Sequence, residues 1–286
     1  MSTCRPRFAV IPLLAVLVLA APAFGAGRPG VAALQVALRD RGLYAGAVDG
    51  AAGPATTAAL RRFQRRAGLP ADGVVGPGTR RALGRYGRHL LGTRQLRRGA
   101  FGWDVAAFQF LLAWHGFPSA AIDGRFGGHV ERALRGFERW AGLRADGVAG
   151  AEVLAVLRRP LPSCPLALAW PLRGPVGSPF GPRGNGFHPG IDIVALEGTP
   201  VGAALGGRVV FAGWNGGYGR LVVVAHGSGV RSFYAHLSSF AVHRGERVGT
   251  GDRVGLVGAS GVASGPHLHF EVRVRGAAVD PLPALG

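Results

Sequence analysis

Sliding the chain against itself by 74 positions superimposes Gly30–Leu83 on Asp104–Leu157 without a gap. Leu38 meets Leu112, Gly42 meets Gly116, and Asp49-Gly50 meets Asp123-Gly124. Leu60 meets Leu134, Phe63 meets Phe137, and Gly68-Leu69 meets Gly142-Leu143; Asp72-Gly73-Val74 then falls on Asp146-Gly147-Val148, and Gly76 on Gly150. A shared pattern this dense is a duplication, so one small unit is built twice before anything else begins. Each copy reads as three short helices. In the first, Val31, Leu34 and Leu38 recur at helical spacing and Gly42 can close the helix in a left-handed turn. Asp49-Gly50 marks a turn. Gly53-Pro54 opens a second helix whose Leu60, Phe63 and Ala67 share a face before Gly68, and Gly76-Pro77 opens a third that ends near Leu83.

After Arg158-Arg159-Pro160 the composition shifts to valine, glycine and aromatic residues. Arg208–Ala212, Leu221–Ala225, Arg231–Ala235, Val254–Val257 and Leu268–Arg273 read as strands separated by glycine-rich turns, which predicts an antiparallel β domain. Two stretches of it carry chemistry: His188-Pro189-Gly190-Ile191-Asp192 and Pro266-His267-Leu268-His269-Phe270. They offer imidazoles and one carboxylate, a donor set that suits zinc, with a histidine to spare. On a strand His267 and His269 share one face while Leu268 and Phe270 enter the core; Asp192 likewise opposes Ile191 and Ile193. Glu271 falls on the face of the two histidines, where it could support a ligand.

These residues resemble the lysostaphin/LytM-type zinc endopeptidases, over roughly Trp170 to Pro281. The likeness runs through Ser178-Pro179-Phe180-Gly181-Pro182-Arg183, the His188 motif, Gly217-Tyr218-Gly219, Tyr234-Ala235-His236-Leu237-Ser238, Ser260-Gly261 and Gly265-Pro266-His267-Leu268-His269-Phe270-Glu271-Val272. It implies His188, Asp192 and His269 as ligands of one zinc ion per chain. It also implies His236 and His267 as catalytic groups, either of them as general base and either as the group that steadies the oxyanion or protonates the leaving amine. Tyr218 is the candidate substrate contact. Arg220 stands where the family often carries Asn. The duplicated units resemble type 1 peptidoglycan-binding domains; the first copy matches closely, whereas Glu138, Ala151 and Glu152 in the second replace the equivalents of Gln64, Pro77 and Gly78. Most positions in these units are packing and turn chemistry, so no binding residue is singled out, and the second copy could be structural only. His89, His115, His129, His226 and His243 read as structural or exposed, and Arg183 and Asp252 as structural.

All 33 basic residues are arginine. The absence of lysine removes P-loop nucleotide sites, Schiff-base chemistry and pyridoxal enzymes. It also removes the biotinyl or lipoyl carrier that the valine-rich turns of Gly206–Gly258 superficially suggest. Arg5 and Arg7, the apolar run Phe8–Ala20 and the small residues Ala21-Pro22-Ala23 read as a secretory signal; cleavage after Ala23 or after Gly25 fits, and an uncleaved anchor is the alternative. Without the leader, 31 arginines face 15 acidic residues, a balance that favours polyanions. No nucleic-acid-binding signature accompanies it, so wall polymers and anionic lipid are the nearest partners of an exported chain. Cys4 leaves with the leader and lacks the upstream apolar segment of a lipid-anchor cysteine. Cys164, in a proline-rich connector, is then alone, with no internal disulfide and no helix to activate it as a nucleophile.

The expected fold is multidomain α+β: two small three-helix peptidoglycan-binding modules, then an antiparallel all-β zinc peptidase domain. The divisions are a signal peptide (1–25), module 1 (27–86), a basic, solvated linker (87–101), module 2 (102–159), a Pro-rich linker (160–168) and the peptidase domain (169–286). The expected function is an exported metalloendopeptidase, in cell wall or periplasm, that hydrolyses peptidoglycan cross-links, with no nucleic-acid partner and no membrane span once the leader is cut. Stem-peptide cross-links are favoured over glycine bridges, for which no signature is present. The alternatives are a non-catalytic wall-binding activator of another hydrolase and a wall anchor that merely binds.

Overall fold

The computed structural model describes residues 27–286, so the expected leader and Cys4 lie outside it. No helix among the described residues is long and apolar enough to cross a membrane. Each repeat forms three helices: α1 (Pro29–Arg39), α2 (Pro54–Arg66) and α3 (Pro77–Ala82), then α4 (Trp103–Trp114), α5 (Gly128–Ala141) and α6 (Ala151–Val156). Proline starts each of the first three, where its missing N–H has no helical partner to lose. Gly42 and Gly68 turn the chain after α1 and α2 at φ of 66° and 67°, and Gly116 and Gly142 repeat this at 86° and 72°.

The periodicity of α1 and α4 suggests one buried face, but the structure buries far more. The two helices pack on each other, and α4 is enclosed from Trp103 through Phe110 and again at Leu112 and Ala113. Trp103, Ala106, Ala107 and Phe110 of the second copy complete the core of the first. A helix apolar on all sides needs such enclosure. The two modules are therefore one body. The segment expected as a solvated linker belongs to it as well: Arg94 grips the buried Asp104 (Nε–Oδ2 2.7 Å), and Leu96 is buried beside Ala149, with which it exchanges backbone hydrogen bonds. A buried carboxylate needs a paired cation, and Arg94 supplies it.

The strands of the C-terminal part all pair antiparallel. Its strands are β1 (Val176–Ser178), β2 (Gly181–Arg183), β3 (Gly186–His188), β4 (Ile191–Val194), β5 (Pro200–Gly202), β6 (Gly207–Trp214) and β7 (Arg220–Ala225). They continue as β8 (Val230–Leu237), β9 (Ser239–Phe240), β10 (Arg247–Val248), β11 (Arg253–Leu256), β12 (His267–Val274) and β13 (Ala277–Val279). The main sheet runs β1-β4-β12-β8-β7-β6-β10, with β13 added to β12; β5-β11-β9 form a small sheet and β2-β3 a separate hairpin. Ile191, Ile193, Leu268, Phe270 and Val272 fill the core on one face of the sheet, as the alternation predicts. Tyr234 is wholly buried there, its hydroxyl accepting from Ala204 N–H and Ser232.

One buried polar contact that differs between the two copies bears on stability. In module 1 the Gln64 amide accepts from Gly73 N–H and donates to Asp72, the Val74 carbonyl and Thr79. In module 2 Glu138 accepts from Gly147 N–H in the same way, but its Oε1, buried where the amide would be, has no partner. Burial raises the Glu138 pKa above the usual carboxylate range, and the neighbouring Asp146 raises it further. A carboxyl group whose folded pKa is raised stabilises the fold fully below its ordinary value and ceases to do so as pH rises through the raised one. Glu138→Gln should therefore stabilise module 2 near neutral pH by about 1–3 kcal/mol, the cost of an unpartnered buried polar group. Denaturant titrations at pH 4 and pH 8 should show a smaller pH dependence in the variant; an unchanged dependence would count against protonation of Glu138.

Candidate metal centre

The sheet register assembles most of the site. β4 and β12 pair so that Asp192 lies directly across from His269, with His267 across from Val194. A one-residue slip would send every polar side chain into the core, so the buried Ile191, Ile193, Leu268 and Phe270 hold the register. Gly190 permits the approach, because a Cβ there would collide with the Phe270 carbonyl. His188 arrives from outside the sheet, at the end of the β2–β3 hairpin, and is buried.

His188, Asp192 and His269 converge so that one donor atom from each lies within 4.8 Å of the others. His188 Nε2 is 3.0 Å from His269 Nδ1 and 3.1 Å from Asp192 Oδ1; Asp192 Oδ1 is 2.8 Å from His269 Nδ1. The far side of each ring explains what faces inward. His188 Nδ1 faces the Pro179 carbonyl at 2.9 Å, which can only accept, so the N–H is there and Nε2 presents a lone pair. His269 Nε2 donates to Glu271 Oε1 at 3.0 Å, which leaves Nδ1 to face Asp192 and His188. Two imidazole lone pairs and a carboxylate crowded together repel unless a cation lies among them. Burial disfavours charge on His269, yet its hydrogen bonds to Asp192 and Glu271 outweigh burial and push its pKa up to about 9. Burial opposes ionisation of Asp192 too, but hydrogen bonds from His188 and His269 hold its carboxyl well below the usual range. A proton thus serves as the cation, and a metal would displace it. The donor set fits zinc: nitrogen and oxygen ligands, three in number, each with an outer partner.

The remaining sequence candidates gather around this centre. His236 and His267 lie beside it with ring centroids 4.8 Å apart and ring planes tilted by 53°. His236 donates Nδ1–H to the Ser260 carbonyl at 2.8 Å and His267 donates Nδ1–H to the Gly265 carbonyl at 2.8 Å. Both Nε2 atoms are left free; that of His267 lies 3.7 Å from Asp192 Oδ1. Burial lowers the pKa of His236, which favours its neutral ring. His236 sits at φ 61°, a left-handed conformation costly for a side chain of its size, which interrupts the alternation of β8. Tyr218 lines the cleft, but its hydroxyl is engaged: it donates to Glu271 at 2.6 Å and accepts from Arg273 at 3.0 Å.

Glu271 is wholly buried and gathers His269, Tyr218 and Arg273. Arg273 is absent from the sequence-derived candidates, although the period of two that relates His267, His269 and Glu271 reaches it. Arg183, expected to be structural, lines the cleft and contacts Asp192 Oδ2 at 3.2 Å. Asp252 is structural as expected, accepting from Gly249 N–H. Of the other histidines, His115 packs in module 2 and His226 bonds Gly206 and Ser232. His89, His129 and His243 are exposed, and none of the five lines the cleft.

Residues 186–281 match the sequence profile of peptidase family M23, and residues 27–83 and 102–157 each match that of a peptidoglycan binding domain. The catalytic domain of lysostaphin from Staphylococcus simulans is 35% identical over 38% of this chain and 90% of that one, at a TM-score of 0.37. The chain belongs to peptidase family M23. Two peptidoglycan-binding domains precede its peptidase domain. Among curated relatives, the DD-carboxypeptidase/endopeptidase Mpg of Neisseria meningitidis is 43% identical over 37% of this chain and 26% of its own length. The murein hydrolase activator EnvC of Escherichia coli is 44% identical over 41% and 28%. The chain thus spans about a quarter of the length of these relatives.

Glu271→Gln keeps the shape but loses the charge that anchors His269. It should weaken zinc affinity by about 10–100-fold, read by competition with a chromophoric chelator, while circular dichroism stays that of the parent protein.

Proposed function

We propose that this protein is an exported zinc endopeptidase that hydrolyses peptide cross-links of peptidoglycan, held on the wall by its N-terminal modules. The observation that carries this reading is the convergence of His188, Asp192 and His269 on one point, with His236 and His267 beside it in the same open cleft. Zinc bound by those three side chains would polarise a peptide carbonyl and make an attacking water acidic. The protein's own groups do the rest. His236 and His267 line the cleft with each Nδ1 engaged by a backbone carbonyl, so either Nε2 can take the proton from water. Once protonated there, the same ring can donate to the oxyanion or pass the proton to the leaving amine nitrogen. Arg183 holds the second oxygen of Asp192 and supplies positive charge at the cleft rim. The stem-peptide cross-link is the proposed scissile bond, in preference to a glycine bridge.

The competing reading, a non-catalytic activator, draws on the relative named murein hydrolase activator. A complete set of three ligands and two further histidines favours hydrolysis here. Zinc-loaded mature protein should release new amino groups from purified cross-linked sacculi, and His269→Ala should release essentially none. If the parent protein releases none from any cross-linked wall, the activator reading takes over.

Charge distribution supports anionic wall polymer as a further partner of module 1. Residues 27–99 carry 14 arginines against Asp40, Asp49 and Asp72, whereas residues 100–160 carry 7 arginines against 6 acidic residues. The copies share one genome, so codon bias alone does not explain the contrast. Arg61 and Arg65 are exposed along α2 and line a groove on it; Arg81 is exposed on α3. Replacing Arg61, Arg65 and Arg81 by Gln should lower binding to polymer-bearing walls several-fold in low salt and flatten its salt dependence. Cosedimentation across a salt series reads this, and hydrolysis of a soluble peptide should not change.

A further inference from the structure

The β2–β3 hairpin carries His188 and Arg183 but belongs to neither larger sheet. Its strands pair only with each other, Gly181 with His188 and Arg183 with Gly186. A lone two-stranded hairpin is marginally stable in water, so something else must hold it. Phe180 packs against the core of the peptidase domain, and further support comes from the N-terminal modules. At the tip, the Gly184 carbonyl accepts from Val48 N–H at 2.8 Å, and the Asn185 carbonyl accepts from Ile122 N–H at 2.7 Å. Val48 and Ile122 lie 74 positions apart, the offset of the duplication: they are one position in two copies, each just before its Asp-Gly turn. The paired modules thus grip two successive carbonyls with equivalent N–H groups. Behind the tip, Trp114 packs edge-on against Phe187 at 5.3 Å and Phe180 at 6.2 Å, and these two rings meet at 5.0 Å. A second contact lies behind β12: Ala278 of β13 donates to the Gly116 carbonyl at 3.1 Å, and Arg275 stands over Trp140. No residue of the modules lines the cleft, so this docking leaves the site open.

We propose that the duplicated modules act as a clamp that positions His188 and Arg183, in addition to any wall binding. Two copies are needed because the grip requires two N–H groups side by side, which explains why the second copy keeps its fold while losing the charge and the Gln of the first. Trp114, Val48 and Ile122 are positioning residues: they touch neither the cleft nor the ligands. The catalytic consequence rests on the function proposed above, but the clamp itself is read through metal affinity and backbone exchange, which do not need hydrolysis.

The test uses the full mature chain. Trp114→Ala should weaken zinc affinity by about 10–100-fold in chelator competition and speed hydrogen exchange of the amides of residues 183–188. On a soluble cross-link peptide it should lower kcat with little change in KM, and Trp114→Phe should recover most of each effect. A folded Trp114→Ala protein that holds zinc as tightly as the parent and protects the hairpin equally overturns the clamp. Should that variant unfold, a specific protease site placed within residues 160–168 and cut after folding decides. The halves should co-elute and keep parental zinc affinity. Separation of the halves with zinc affinity intact in the peptidase half overturns the clamp as well.

Discussion

Three lone-pair donors from three different strands point at one another within hydrogen-bonding distance, and the rest of the domain exists to keep them there. Such an arrangement is unfavourable without a positive charge at its centre, so each donor is restrained from behind. Pro179 holds His188, Glu271 holds His269, and Arg183 takes the outer oxygen of Asp192. Glu271 is in turn neutralised by Arg273 and steered by Tyr218. Burying that carboxylate is tolerable only because all its neighbours are donors. The chain from Arg273 through Glu271 to His269 is thus a relay of charge-assisted hydrogen bonds on one face of β12.

The helical half shows how duplicated units part company. Gln64 and Gln35 in the first copy, and Gln109 in the second, each stitch a Gly-containing turn to a helix through a buried amide. Glu138 keeps the accepting half of that stitch and loses the donating half. Surface charge diverged at the same time, leaving module 1 strongly basic and module 2 nearly balanced. What persists is the α1–α4 pairing between the copies and, in each copy, the backbone N–H at Val48 or Ile122 that meets the peptidase domain.

Much of the site is legible in the sequence because strand periodicity is local. His267, His269 and Glu271 at spacings of two must share a face, and Leu268 and Phe270 must oppose them, whatever the sheet order. The helices are legible for a similar reason, with proline opening those of the first copy and glycine following the first two helices of each copy at matched positions. Arg94 escaped because a basic run looks like solvated linker until its partner, the buried Asp104, is known. Arg183 escaped because its role depends on a hairpin folding back over Asp192. Tyr218 was legible as a cleft residue, but not that its hydroxyl is spent on Glu271 and Arg273.

The sequence alone determined that this chain has two copies of a helical unit followed by a β domain, and which side chains have the chemistry to hold a metal. Those properties follow from short-range periodicity and donor type. Only the tertiary structure decided that Asp192 lies across from His269, that His188 reaches them on a separate hairpin, and that both modules grip the tip of that hairpin. Each of these depends on strand register or on packing between residues far apart in the chain, and such energies have no signature within any one segment.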